Sequence, residues 1–241
     1  MKQFPKTEVY SLFSILAGLI GMAMQTWLLS TVDSKGLLVH GHFSAAISFL
    51  LLAAVVVLNA LYLKKVKTDL TYDQMFPQSI VSAAGTFLAA AGFAITAIMP
   101  GSAGLLGLLV RVFGIISAVG LVFAGYCRFQ GKQPNCLAYA AVAMFLIFRT
   151  LVLCQGWSAE VQIERYFFPL LACLSLLMAA YFRASLVLES KDCKRYLFFR
   201  QFALFCCMLS FVGGDSIFYL AGIMWIATDY CIPALPEKPV Q

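Results

Sequence analysis

Residues 103–126 read AGLLGLLVRVFGIISAVGLVFAGY, an apolar run interrupted by one charge, Arg111. At 1.5 Å of rise per residue a helix of this length reaches about 36 Å, enough to cross ~30 Å of hydrocarbon. Comparable runs recur along the chain, at roughly Val9–Thr31, His42–Leu63, Gln78–Met99, Cys136–Gln155, Ile163–Leu188, Arg195–Val212 and Asp215–Pro233. The 241 residues are 62% hydrophobic and only 12% charged, whereas a water-exposed surface needs about twice that charge. The pattern predicts an all-α polytopic integral membrane protein. It forms a bundle of eight transmembrane helices, a single transmembrane domain over residues 1–241 with no soluble domain. Only Gly213-Gly214 separates the last two segments. Two glycines can make a tight turn; the competing reading joins both segments into one kinked helix and leaves seven spans.

The formal charge of +6 serves topology, not nucleic-acid binding. With eight spans, thirteen of the 17 Lys and Arg residues fall on one side, including Arg128, Arg183, Arg195 and Arg200. Only Lys35 and Arg165 fall on the other, and Arg111 and Arg149 lie within spans. Short cytoplasmic loops carry this excess. Both termini are therefore expected in the cytoplasm, in the cytoplasmic (inner) membrane of a bacterium. The stretch from Val9 is too long for a signal-peptide core and has no small-residue cleavage pattern, so it reads as the first span. Cys127, Cys136, Cys193 and Cys231 fall near the cytoplasmic side, and Cys154, Cys173, Cys206 and Cys207 within spans. No disulfide framework is implied. Trp27 and Trp157 lie where an outer aromatic belt would stand.

Small residues form stripes at helical spacing. Ser14, Gly18 and Gly21 lead to Gln25; Ser82, Gly85, Ala89 and Gly92 lead to Thr96; Gly104, Gly107, Gly114 and Ala118 flank Arg111. Such faces let membrane helices approach closely. They should point into the bundle and carry Gln25, Thr96 and Arg111 inward. The first two stripes share a four-three-four spacing, as an internal duplication would; chance is favoured, because small residues are common here and the intervening helices show no match.

Arg111 lies roughly 8–15 Å from the outer end of its helix at 1.5 Å per residue. An arginine at such depth costs about 2.5–3.5 kcal/mol on insertion scales. It serves either a helix-locking ion pair or a solute. Arg149 shares a face with bulky Val142, Phe145 and Val152, which suggests snorkelling to the outer headgroups. Asp215 opens the last segment as an N-cap candidate and lies at the depth where a partner for Arg111 or Arg149 is needed. It is the best-placed acid, since Asp33, Glu160 and Glu164 fall in loops. Tyr219, Gly222 and Asp229 follow on nearly the same face, and Asp229 is expected to meet cytoplasmic lysines. His40 and His42 lack a third ligand and read as a solvated loop.

No zinc-helix motif, nucleophile elbow or phosphate-cradling loop is present. Asp215 and Asp229 lie too far apart to share a proton. An enzyme, a cofactor, a metal site and a nucleic-acid partner are therefore not expected; the lipid bilayer is the expected partner. Intramembrane charge often marks a solute path. The expectation is an outward-facing polar cavity for a small anionic or zwitterionic solute, lined by Arg111, Asp215, Gln25, Arg149, Thr96 and Tyr219. Arg111 would grip a carboxylate or phosphate. The alternative is an accessory, scaffold or sensor subunit whose buried charges are structural.

Overall fold

The computed structural model describes residues 6–31, 43–64, 72–99, 104–158, 164–188 and 192–229. Among these every regular element is an α-helix: α1 (Lys6–Ser30), α2 (Phe43–Leu63), α3 (Tyr72–Met75), α4 (Ile80–Ile98), α5 (Leu105–Gln130), α6 (Cys136–Ser158), α7 (Glu164–Val187), α8 (Cys193–Ser210) and α9 (Ser216–Ala227). Six of them (α1, α2, α4, α5, α6 and α7) are long and apolar enough to cross a membrane. Leu50, Leu105, Val119 and Leu137 stand exposed on these helices. Apolar surface of that extent suits lipid, not water.

Apart from the four-residue α3, α8 and α9 remain, and they pack inside the bundle. In α8 most side chains are buried, and α9 inserts between α4 and α8. Phe218 of α9 packs on Phe93 of α4 and Phe145 of α6. The chain reverses at Gly213–Gly214, where Gly214 takes φ 115°, a backbone that favours glycine. Tyr196 at the start of α8 donates to Asp229 just beyond α9. The two helices are therefore antiparallel, and the single kinked helix is excluded. At 1.5 Å per residue, α9 reaches only about 18 Å, and α8 about 27 Å. They are short because the interior of the bundle, not the full bilayer, is their surround.

The small-residue stripes set this packing. A Cβ on Gly18 would lie 2.7 Å from Met208 Sδ, and one on Gly21 2.5 Å from Leu209 Cδ1, so α1 seats on α8. A Cβ on Gly92 would lie 2.6 Å from Ala221 Cβ, so α4 seats on α9. Gly114 of α5 closes against Ala97 of α4 in the same way. The first two stripes serve different geometries. Ser11 bonds Gln201, Gly18 meets Met208 and Gly21 meets Leu209, so the contacts advance together along α1 and α8 and these helices run the same way. Ser82, early in α4, meets Asp229 after the end of α9, so those helices run oppositely. The matching spacing thus serves two different partners.

Seven cysteines among the described residues are free thiols. His40, His42, Asp33, Glu160, Cys231 and the side chains of Glu164, Arg165 and Trp157 lie outside the described structure.

Candidate functional site

Two polar centres occupy opposite ends of the bundle. At the Asp215 end, the last turns of α4, the first turns of α5, the C-terminal half of α6 and the turn before α9 line a cavity of about 200 Å³. Thr96, Arg111, Arg149 and Asp215 line it, with Gly107 and Val152 among the apolar residues of its wall. Of the six residues expected to converge, four do so. Gln25, 5% exposed, lines a separate cavity on the far side of the α8–α9 turn. Tyr219 is buried beside Cys173 and Cys207 and lines neither.

Within the first cavity one of the two possible pairings is formed. Asp215 meets Arg149, not Arg111: Arg149 Nη2 donates to Asp215 Oδ2 at 2.5 Å. Arg149 does not snorkel. Its side chain is 12% exposed, and its guanidinium lies 5.0 Å over the Phe218 ring. The bulky face that suggested lipid is core: Val142 and Phe145 are wholly buried, Phe145 edge-on to Phe218 of α9. The Asp215 side chain makes no capping bond to α9. It is half exposed, so the oxygen not held by Arg149 is free to meet solvent. Arg111 is exposed on the cavity wall; its helix buries Gly107, Gly114 and Ala118. Arg149 Nε has no hydrogen-bond partner. The cavity thus holds a partly buried, clamped arginine, a half-open carboxylate and a second, accessible guanidinium.

The centre at the Asp229 end was not anticipated. Asp229 is 1% exposed and meets arginines, not lysines. Arg183 and Tyr196 both donate to its Oδ2, and Arg128 Nη2 stands 4.0 Å from Oδ1. Ser82 Oγ bridges, donating to Asp229 at 3.3 Å and accepting from Arg128 Nε at 3.3 Å. Arg200 donates to the Ile226 carbonyl, also at 3.3 Å. The Arg183 guanidinium lies 4.7 Å from the Phe76 ring and 4.8 Å from Tyr139, an aromatic enclosure that favours a cation. Arg128, Arg183 and Arg200 counted as cytoplasmic charge in the sequence; all three are buried. The reason is local. The segment Tyr72–Phe76 folds back under the bundle, placing Met75, Phe76 and Tyr72 over the arginines in a small core with Tyr196 and Leu197. The one available signal was small residues one turn before two of the arginines, Ala124 and Gly125 before Arg128 and Ala179 and Ala180 before Arg183. Unlike the Asp215 end, this centre is packed with side chains, and its chemistry is that of a lock.

No group of three or more His, Cys, Asp or Glu among the described residues is placed to hold a metal ion. No family model matches the chain, and neither a curated protein nor a solved structure matches it.

Proposed function

We propose that this chain is a multi-pass protein of the bacterial cytoplasmic membrane that binds a small anionic or zwitterionic solute in the cavity at its Asp215 end, as a step in transport or sensing. In this reading α1, α2 and α4 to α7 cross the bilayer, and the shorter α8 and α9 complete eight spans as a sheltered inner pair. The Lys and Arg asymmetry puts both termini in the cytoplasm, so the cavity opens outward. One observation carries the proposal: Thr96, Arg111, Arg149 and Asp215, from four separate segments, line one cavity. Its volume of about 200 Å³ falls below the ~300–1,000 Å³ of drug-sized sites, so the solute has few heavy atoms. Arg111 offers a forked pair of donors to a carboxylate or phosphate. The open oxygen of Asp215 accepts from an amino group, which favours a zwitterion over a simple anion.

A second reading has its own support. Arg149 and Asp215 satisfy each other directly, and the Asp229 centre is enclosed by buried side chains. Both suit an accessory or scaffold subunit whose charges set helix register. Thermal unfolding of the purified protein with acetate, phosphate or glycine, at equal ionic strength, separates the two. The solute reading expects saturable stabilisation by at least one probe, lost in Arg111→Ala. No stabilisation by any of the three favours the scaffold.

A further inference from the structure

The cavity at the Asp215 end borders the lipid-facing surface of the bundle. Its α5 wall carries Arg111, which is exposed. Residues at i−4 and i+3 lie along one flank of a helical position, and those at i−3 and i+4 along the other. On the first flank of Arg111, Gly107 and Gly114 are buried. On the second, Leu108 is 57% exposed and Ile115 is 49% exposed. Arg111 therefore stands where the packed face of α5 meets its apolar outer face. Met99, at the end of α4, lines the same cavity and is also half exposed.

The depth of Arg111 suits a lipid headgroup. The 26 residues of α5 reach about 39 Å, against ~30 Å of hydrocarbon. Centred on the hydrocarbon, the helix extends about 4–5 Å beyond each boundary. Arg111 follows the first residue of α5 by six positions, about 9 Å, and so lies roughly 5 Å below the boundary. An arginine side chain spans that distance and brings its guanidinium to the level of lipid phosphates. The volume agrees. About 200 Å³ is the space of roughly seven waters at ~30 Å³ each, enough for a phosphate and a short amine but not for an acyl chain as well.

We propose that the ligand of this cavity is the headgroup of an outer-leaflet lipid, a phosphodiester carrying a primary amine, which enters sideways past Arg111. Its acyl chains stay in the bilayer along Leu108 and Ile115. The phosphate takes the forked donors of Arg111, and the ammonium donates to the oxygen of Asp215 that Arg149 does not hold. This proposal rests on the solute reading and narrows it: the part of the ligand inside the cavity is small because the rest remains in lipid. A quaternary ammonium has no N–H to give Asp215, so the site separates ethanolamine from choline headgroups.

The test is thermal unfolding of the full chain in detergent micelles. The probes are a short-chain phosphatidylethanolamine, a phosphatidylcholine with the same acyl chains, each added as a fraction of the micelle, and free phosphoethanolamine in the buffer. Phosphatidylethanolamine should stabilise saturably, with a midpoint about tenfold or more below that of phosphatidylcholine, the worth of one charge-assisted hydrogen bond. Asp215→Asn should remove the difference between the two lipids, and Arg111→Ala should remove saturable stabilisation by either. Arg111→Ala, at an exposed position, carries the test if Asp215→Asn does not fold. Equal midpoints for the two lipids, or a response of Arg111→Ala equal to that of the wild type, overturns the proposal and leaves lipid that coats the bundle without selection. Stabilisation by phosphoethanolamine through Arg111, with none by the lipid, overturns it and keeps the solute reading. No response to any of the three also overturns it, and the solute reading then stands or falls on acetate, phosphate and glycine.

Discussion

Removing one carboxylate from each end of the bundle should have very different consequences. Asp229 is 1% exposed and Arg183 is 2% exposed. Asp229→Ala takes the acceptor from Arg183 and from the Tyr196 hydroxyl, inside a wall of Phe76 and Tyr139 that admits no replacement. Breaking a buried pair in this way costs about 3–5 kcal/mol. Asp215 is chemically the same and pairs with Arg149 at 2.5 Å, but it is half exposed. Solvent screening reduces such a pair to about 0–1 kcal/mol. The two variants should therefore differ by at least roughly 2 kcal/mol, measured by reversible denaturant titration in detergent. The double variant Asp229→Leu/Arg183→Met should recover part of the loss, since apolar replacement of a buried pair is often close to neutral. Recovery should stay incomplete, because Arg128 uses the same carboxylate. Equal costs for Asp215→Ala and Asp229→Ala would refute the assignment of a locked end and an open end.

Further outcomes are open to measurement. Gly92→Ala should destabilise by about 1–3 kcal/mol, because the added methyl has no room against Ala221 Cβ at 2.6 Å. Gly156→Ala in α6 meets only the Tyr166 ring at ordinary contact distance and should stabilise by up to ~1 kcal/mol through helix propensity; paired unfolding curves check both signs. Tyr196→Phe should cost about 1–3 kcal/mol in the same titration, the penalty for leaving its buried partner short of a donor. Impermeant thiol reagents applied to cells should label a cysteine at Ser34 and miss one at Lys65; the reverse pattern would invert the orientation drawn from the charge asymmetry.

The long helices were legible because hydrocarbon thickness fixes their length, and their packing faces because glycine is where backbones meet. Gly18, Gly21, Gly92 and Gly114 all close on a neighbouring helix. Thr96, Arg111, Arg149 and Asp215 could be placed at one depth for the same reason. Which arginine meets Asp215 could not be read, because it depends on how α6 is rotated. Val142 and Phe145 look equally suited to lipid and to an aromatic core, and only Phe218 of α9 decides between them. Gln25 shares the depth of the other site residues but not their side of the α8–α9 turn, a distinction that periodicity within one helix does not contain. The Asp229 centre was hidden differently. Arginines at the end of an apolar run have the same sequence signature whether they reach water or fold inward. The difference lies in the segment Tyr72–Phe76, where a four-residue helix has no periodicity to announce it.

Arg111 is proposed to meet a solute in the open cavity at the Asp215 end. Equilibrium titration of glycine, acetate and phosphate against the wild-type chain and against Arg111→Lys and Arg111→Ala tests it most directly. Saturable binding of at least one probe to the wild type is expected, weakened in Arg111→Lys by loss of the forked contact. In Arg111→Ala binding is abolished, while the unfolding curve without probe changes by less than about 1 kcal/mol, as for an exposed side chain. Binding that is unchanged in Arg111→Ala, or an Arg111→Ala variant that unfolds without any probe having bound the wild type, would contradict it.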